Sequence, residues 1–231
     1  MQDHAHIRLV RAGRHRRGVI AMAAALVGVG GPAEAWILTM KAAPREIYVQ
    51  VGAGTYTGGN YATSTGSGRT FKKTSGGKPG VNTTIDTVSV TVPAASVGTG
   101  TTQQMTSNSA VADSFYDGYA TCNPPTEVYV GAWSQEPAGQ TGVATLTVTS
   151  PANLTSGADT IPFSQISWTS TANGDTTADV AAGTFNGGSV ALASIAANTW
   201  VEDCLTFTFK NSAIVAAGTY TGQAVYTVSQ P

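Results

Sequence analysis

The chain has little charge, few aromatic residues and no histidine beyond its N-terminal stretch. Charged residues make up 11% of the 231 positions and aromatic residues 8%. The three histidines, His4, His6 and His15, all lie in a basic stretch at the start of the chain. If that stretch is cleaved off, no imidazole remains for catalysis or metal binding. We therefore expect no histidine-based active site, no metal site and no cofactor.

The first 35 residues are organised like an export signal. A basic head is followed by the apolar run Val19 to Val29 and by Ala33-Glu34-Ala35, a small-x-small cleavage site before Trp36. The apolar run is about a dozen residues, whereas a membrane-spanning helix needs roughly 20, which favours a cleaved signal over an anchor. We expect residues 1–35 to be removed and 36–231 to be exported to the periplasm, the cell surface or the medium, with no membrane span.

The charge balance of the exported part is unsuited to nucleic acid. Taking the signal's five arginines and two acidic residues from totals of 12 basic and 13 acidic residues leaves 7 and 11. A nucleic-acid binder needs a concentrated basic face that releases phosphate counterions. The one basic cluster, Arg69, Lys72, Lys73 and Lys78, lies in Ser/Thr/Gly-rich sequence and is interpreted as a solvated loop.

Small and β-branched residues dominate the rest of the chain, which is typical of short strands and tight turns. We expect residues 36–231 to form one antiparallel, immunoglobulin-like β-sandwich of about seven to nine strands. The composition of residues 57–84, mostly Gly, Ser, Thr, Asn and Lys, predicts a long loop or a poorly ordered ribbon. Pro162 predicts an edge position for its strand, because proline cannot donate to a ladder. Alternating polarity predicts strands at Ile47–Val51, Ile85–Val92, Glu127–Trp133, Val143–Thr149, Ile161–Trp168, Thr199–Lys210 and Thr219–Val228.

Two cysteines remain in the exported chain, Cys122 and Cys204, at a separation of 82 positions. Exported compartments are oxidising, so a disulfide is favoured over two separate buried thiols. In the chain-entropy model, closing such a loop stabilises the fold by roughly 4.5 kcal/mol. The closed loop would span any domain boundary near Pro151, which favours a single domain.

Catalysis in this chain would have to depend on carboxylates, because no Ser lies in a Gly-x-Ser-x-Gly elbow. Two carboxylates can support glycoside hydrolysis when they flank a sugar at the required separation. Acids in turns are more often solvated or capping, so we expect no enzyme, and a carboxylate-dependent secreted glycoside hydrolase is one alternative. The candidate acids and their neighbouring tyrosines are Asp113, Asp117, Glu202, Asp203, Tyr116 and Tyr119.

Aromatic side chains support a second alternative, a carbohydrate-binding module. Trp133, Trp168 and Trp200 can form a sugar-stacking platform if they are exposed, or anchor a core if they are buried. Trp133, Tyr116 and Tyr119 are the candidate contacts to a glycan.

The C-terminal stretch from Ile214 to Val228 resembles the closing strand of bacterial fimbrial and spore-coat-U-type secreted subunits. In these proteins a Gly-x-Tyr turn opens a last alternating strand, a pattern matched here by Gly218 and Tyr220. Gln230 stands where a penultimate aromatic residue is usual, and the cysteine spacing also differs from that of many pilins. The resemblance implies a structural or adhesive surface subunit that associates with itself or with other subunits by strand addition.

This resemblance defines two candidate assembly segments. The residues just after the signal, Trp36 to Arg45, are the candidate donor strand. Alternate residues of the last predicted strand share one face and form the candidate assembly strand: Tyr220, Gly222, Ala224, Tyr226 and Val228. We therefore expect a secreted, non-enzymatic surface protein of the fimbrial type.

Overall fold

A computed structural model describes residues 45–52, 56–57, 61–62, 72–73, 78–79, 86–110, 122–137, 139–172 and 177–231. The proposed signal peptide lies outside these ranges and stays a prediction. Within them the protein is all-β, with antiparallel pairing, no α-helix, and two short 3-10 turns at Ala94–Ser96 and Phe163–Gln165. None of the described residues forms a helix that is long and apolar enough to cross a membrane.

The described strands differ greatly in length, and seven of them have five or more residues. The long strands are β1 (Glu46–Val51), β9 (Glu127–Gln135), β10 (Val143–Thr149), β13 (Ile166–Ala172), β15 (Ser189–Ala196), β16 (Thr199–Phe209) and β17 (Val225–Ser229). The short ones are β2 (Tyr56–Thr57), β3 (Tyr61–Ala62), β4 (Lys72–Lys73), β5 (Lys78–Pro79), β6 (Val88–Ser89), β7 (Gln103–Gln104), β8 (Thr106–Ser107), β11 (Asn153–Ser156), β12 (Asp159–Pro162) and β14 (Gly183–Thr184).

The larger sheet has six strands, in the order β1-β9-β16-β13-β14, with β7 also paired to β16. The ladder between β9 and β16 is short and ends where Glu202 is opposite Gly131. Farther along, β16 pairs with β13 on one side and with β7 on the other. The central strand β16 therefore changes neighbours along its length.

The smaller sheet has three strands, in the order β15-β10-β17. Alternation along β10 turns Ala144, Leu146 and Val148 to one side, where all three are fully buried. Residues of both sheets contribute to one hydrophobic core. Its members from the long strands are Val128, Val130, Ala132, Ala144, Leu146, Val148, Ile166, Trp168, Leu192, Ile195, Val201, Leu205, Phe207, Phe209, Tyr226 and Val228.

The clearest strand predictions are confirmed. The first predicted strand corresponds to β1, and the predicted strand at Val143–Thr149 has the same bounds as β10. The predicted strands Glu127–Trp133 and Thr199–Lys210 correspond to β9 and β16. In each case, alternating apolar residues reach the core and fix the register.

The predicted strand Ile161–Trp168 is wrong, because two strands occupy this stretch. β12 ends at Pro162, a 3-10 turn covers Phe163–Gln165, and β13 begins at Ile166. Pro162 precedes the turn with a φ of −55°, within the range to which the proline ring restricts this angle. The turn redirects the chain from a two-stranded hairpin into the larger sheet.

Two other predicted strands are shorter than expected. Of Ile85–Val92, only Val88–Ser89 forms a described ladder, with β8, although Val90 and Val92 still pack against the core. The predicted last strand, Thr219–Val228, begins its ladder only at Val225, and Thr221 forms an isolated bridge to Thr155. Alternation thus predicts which residues face the core better than it predicts where a ladder begins.

The edge strand β15 was missed by the sequence analysis. A register shift opposite Leu146 and Thr147 breaks its alternation, so its two buried residues, Leu192 and Ile195, are three positions apart. A pattern search with a period of two does not recognise such a strand. Residues 57–84 contain two described antiparallel pairs, β2 with β5 and β3 with β4, which fits the ribbon better than a plain loop.

Candidate functional site

A second group of buried side chains lies on the face of the six-stranded sheet that points away from the core. We call this group the outer cluster. It arises because alternate residues of β9 and β16 point to opposite faces, and both faces are covered. Its members are Cys122, Tyr129, Trp133, Trp200 and Cys204, with the half-buried Tyr48 packed against them.

An aromatic row crosses three strands of this face. In register, Tyr48 of β1 lies beside Trp133 of β9, and Trp133 lies beside Trp200 of β16. The rings of Tyr48 and Trp133 stack with their centroids 5.2 Å apart and an interplanar angle of 12°. A Cβ at Gly131 would come within 2.5 Å of both Trp200 and the Tyr129 hydroxyl, so the row requires glycine there.

A buried carboxylate connects the aromatic residues. Glu202 is 1% exposed. Its Oε2 accepts hydrogen bonds from the Tyr129 hydroxyl at 2.5 Å and from the Trp200 indole N–H at 2.7 Å. Burial of a carboxylate is costly unless hydrogen bonds compensate it. These two bonds make Glu202 a structural acceptor within the outer cluster.

The neighbouring acid, Asp203, points to the opposite face of β16. Its Oδ2 accepts hydrogen bonds from the Val180 amide at 2.5 Å and from the Ser170 hydroxyl at 3.1 Å. The sheet therefore separates Glu202 from Asp203, and the two do not form a carboxylate pair that could flank a sugar. The other candidate acids, Asp113 and Asp117, lie outside the described residues.

The disulfide between Cys122 and Cys204 is confirmed, with 5.4 Å between the two Cα atoms. It lies just beyond the end of the β9–β16 ladder, where the two strands separate. Cys122 leads into a turn in which the Asn123 amide donates to Glu127 Oε2 at 2.7 Å. The covalent bond thus fastens the start of β9 to β16 where backbone pairing has stopped.

The tryptophans proposed for glycan contact are buried. Trp133 is 2% exposed and Trp200 6%. Trp168 lies in the core, where its indole N–H donates to the Ala181 carbonyl at 2.9 Å. A sugar could stack on Trp133 only after the residues that bury it had moved. Tyr116 and Tyr119, the other candidate glycan contacts, lie outside the described residues.

The five residues of the candidate assembly strand contact the core from one side. Tyr226 and Val228 are buried core members, and Tyr220 and Ala224 are half-buried against them. A Cβ at Gly222 would come within 2.7 Å of Leu154 and Phe163. Burial raises the pKa of the Tyr226 hydroxyl well above its usual value. This face of the last segment is therefore occupied within the chain's own core.

The outer backbone edge of β17 differs from its core-facing side chains, because no described ladder occupies it. Among the described strands, β17 pairs only with β10, and β1 pairs only with β9. The two edge strands pack against one another without forming a ladder. β17 has no charged residue and no proline, which are features that commonly protect an edge. Its outer backbone groups are suited to pairing with an extended segment.

A cluster around Glu136 joins the two ends of the described chain, and we call it the chain-end cluster. The guanidinium of Arg45 pairs with the buried carboxylate of Glu136 at 2.9 Å and donates to the Pro231 carbonyl at 3.2 Å. The Gln230 side-chain amide donates to Glu136 Oε1 and to Ser134 Oγ. The sequence analysis missed Glu136, because no local pattern signals an ion pair with a residue so distant in the chain.

No protein-family model, curated protein or solved structure matches this chain. The proposed function is therefore argued from the arrangement of its own residues.

Proposed function

We propose that the protein is an exported, non-enzymatic, immunoglobulin-like β-sandwich that acts at the bacterial cell surface as a structural or adhesive subunit of the fimbrial type. Its subunits associate by adding an extended segment of one copy to a sheet edge of another. The predicted signal, the low charge and the C-terminal pattern support export and assembly. The hydrogen bonds of Glu202 and Asp203 support structural rather than catalytic roles for these acids.

The observation that carries the proposal is the edge of β17. This strand is uncharged, lies at the end of a sheet, and has one described ladder partner, β10. An antiparallel strand leaves every second residue's backbone N–H and C=O groups directed away from its partner. Val225–Ser229 therefore offers a short template for strand addition.

Arg45, the last residue of the candidate donor, lies near that edge. Arg45 contacts the carbonyl oxygen of Pro231, two residues beyond β17. The described end of the candidate donor is therefore at the same end of the molecule as the outer edge of β17. This proximity supports Trp36 to Arg45 as the segment that is exchanged between copies.

Deletion of residues 36–44 tests this function while leaving Arg45 in place. We expect the truncated chain to fold but to stay monomeric at concentrations at which the intact exported chain associates. Light scattering coupled to size-exclusion chromatography measures the mass, and circular dichroism verifies the fold. Arg45→Ala in the intact chain is the matched control, because it breaks the chain-end cluster without removing the donor. Unchanged association after the deletion, or a strictly monomeric intact chain, would contradict the proposal.

A further inference from the structure

The bridge between Cys122 and Cys204 joins two different backbone environments. Cys204 lies inside β16, opposite Thr171 of β13, and is fully buried. Cys122 lies outside any described strand, before the turn at Asn123–Thr126, and is 8% exposed. Exposing Cys204 requires part of the β13–β16 ladder to open, whereas Cys122 belongs to no described ladder. Local openings outside the ladders of a sheet cost less free energy than openings within them.

This difference matters because a disulfide forms through an intermediate that is bulky. A thiolate attacks the disulfide of an oxidant, and a mixed disulfide carries the oxidant on the cysteine until a second thiolate displaces it. The oxidant must therefore fit around the first cysteine to react. There is no such space at Cys204, which is fully buried with Trp200 and Tyr129, whereas Cys122, also a member of the outer cluster, is 8% exposed.

We propose that Cys122 reacts first with a disulfide-carrying oxidant of the export compartment and that Cys204 closes the bridge from within the sheet. In the first step, the Cys122 thiolate attacks the oxidant's disulfide, which forms the mixed disulfide and releases one oxidant thiolate. In the second step, the Cys204 thiolate attacks the Cys122 sulfur and releases the other oxidant thiolate. The oxidant gains the two electrons that the two cysteines lose, and the two thiol protons end on its thiols.

The positions of the two cysteines along the chain favour the same order of reaction. Cys122 precedes Cys204 by 82 positions, so it leaves an export channel first. It can then carry the oxidant before β16 has emerged, and the bridge closes when the start of β9 is placed on β16. Closure is thereby coupled to the packing of the outer cluster, in which Tyr129 of β9 donates to Glu202 of β16.

Single-cysteine variants of the full chain test the assignment, with oxidised glutathione as the oxidant. Cys204→Ser leaves Cys122 free, and Cys122→Ser leaves Cys204 free. Intact-mass measurements follow the glutathione adduct in native buffer and in guanidinium chloride. We expect native structure to slow the reaction of Cys204 by about 100-fold or more and that of Cys122 by less than about 10-fold, as the difference in opening cost requires. Equal protection of the two thiols, or stronger protection of Cys122, would overturn the assignment.

Near-ultraviolet circular dichroism shows whether each variant folds. If one does not, a second measurement identifies the cysteine that reacts first. The reduced wild-type chain is refolded with oxidised glutathione, quenched with acid at intervals, and digested for peptide mapping. The mixed disulfide is expected mainly on Cys122. An intermediate carried equally by both cysteines, or mainly by Cys204, would contradict the proposal.

Discussion

The two faces of the six-stranded sheet are both buried, but they are stabilised in different ways. The core face presents aliphatic and aromatic side chains such as Val130, Leu205 and Phe207, which pack against the second sheet. The outer face combines aromatic rings with a disulfide and a carboxylate that accepts two hydrogen bonds. The first arrangement depends on apolar area removed from water, and the second on specific partners. On the core face, the effect of a substitution should therefore depend mainly on the size of the new side chain. On the outer face, it should depend mainly on whether the new side chain keeps the hydrogen bonds or the disulfide.

The largest expected effect is removal of the bridge on the outer face. The double variant Cys122→Ala, Cys204→Ala should lose roughly 4.5 kcal/mol of unfolding free energy, because the unfolded chain is no longer constrained. Guanidinium unfolding followed by tryptophan fluorescence measures the change. A loss below about 1 kcal/mol would mean that the outer cluster does not depend on the bridge.

The next effect is expected in the hydrophobic core that the core face shares with the smaller sheet. Leu146→Ala removes a fully buried side chain from the middle of β10 and should cost about 3 to 5 kcal/mol. Val143→Ala, in the same strand but 49% exposed, is the matched control and should cost about 0.5 kcal/mol or less. Chemical unfolding of both variants gives the comparison. Similar losses at the two positions would contradict the assignment of the core.

A chemical substitution on the outer face should have a somewhat smaller effect. Glu202→Ala leaves the Tyr129 hydroxyl and the Trp200 indole N–H without this acceptor, and should cost about 3 kcal/mol. Glu202→Gln keeps an acceptor oxygen and should recover part of the loss. Glu127→Ala, at the start of β9, provides a control at a carboxylate that is only half-buried. If Glu202→Ala were as mild as that control, the hydrogen-bonded network would not stabilise this face.

The smallest effect concerns a hydroxyl in the same core, on β17 of the smaller sheet. Because burial raises the pKa of Tyr226 in the folded state, the unfolded state releases its proton first as the pH rises. Stability should fall above about pH 10, where an ordinary tyrosine ionises, by up to about 1.4 kcal/mol per pH unit. Unfolding curves from pH 9 to 11 measure the slope. Tyr226→Phe should flatten it, and an unchanged slope in that variant would contradict this assignment.

The sequence alone predicted the all-β class, the strand that corresponds to β16 and the cysteine pair, because each depends on a local or compositional rule. Alternating polarity indicates the strand, and an oxidising compartment implies the disulfide. The burial and the hydrogen-bond partners of Glu202 and Asp203 could not be predicted in this way. Charged residues are rarely buried unless paired, and their partners come from strands and turns far away in the chain.

The bounds of some strands could not be predicted from the sequence either, because they depend on pairing with distant parts of the chain. β15 contains a bulge that only its pairing with β10 makes visible, and β17 starts late because Thr221 pairs with Thr155 instead. The chain-end cluster combines Arg45, Glu136 and Gln230, and Gln230 lies 94 positions from Glu136. The predicted signal, the single-domain organisation of residues 36–231 and the role of the donor segment stay predictions.

Hydrogen exchange at the edge of β17 tests the central claim of strand addition most directly. The exported chain is compared at concentrations below and above its association, and amide exchange is followed by mass spectrometry. We expect the amides of Val225–Ser229 that point away from β10 to become protected on association, because a new ladder forms there. The amides of Thr145–Thr149, which lie between two strands already, should not change. Association without added protection in β17 would contradict assembly through this edge.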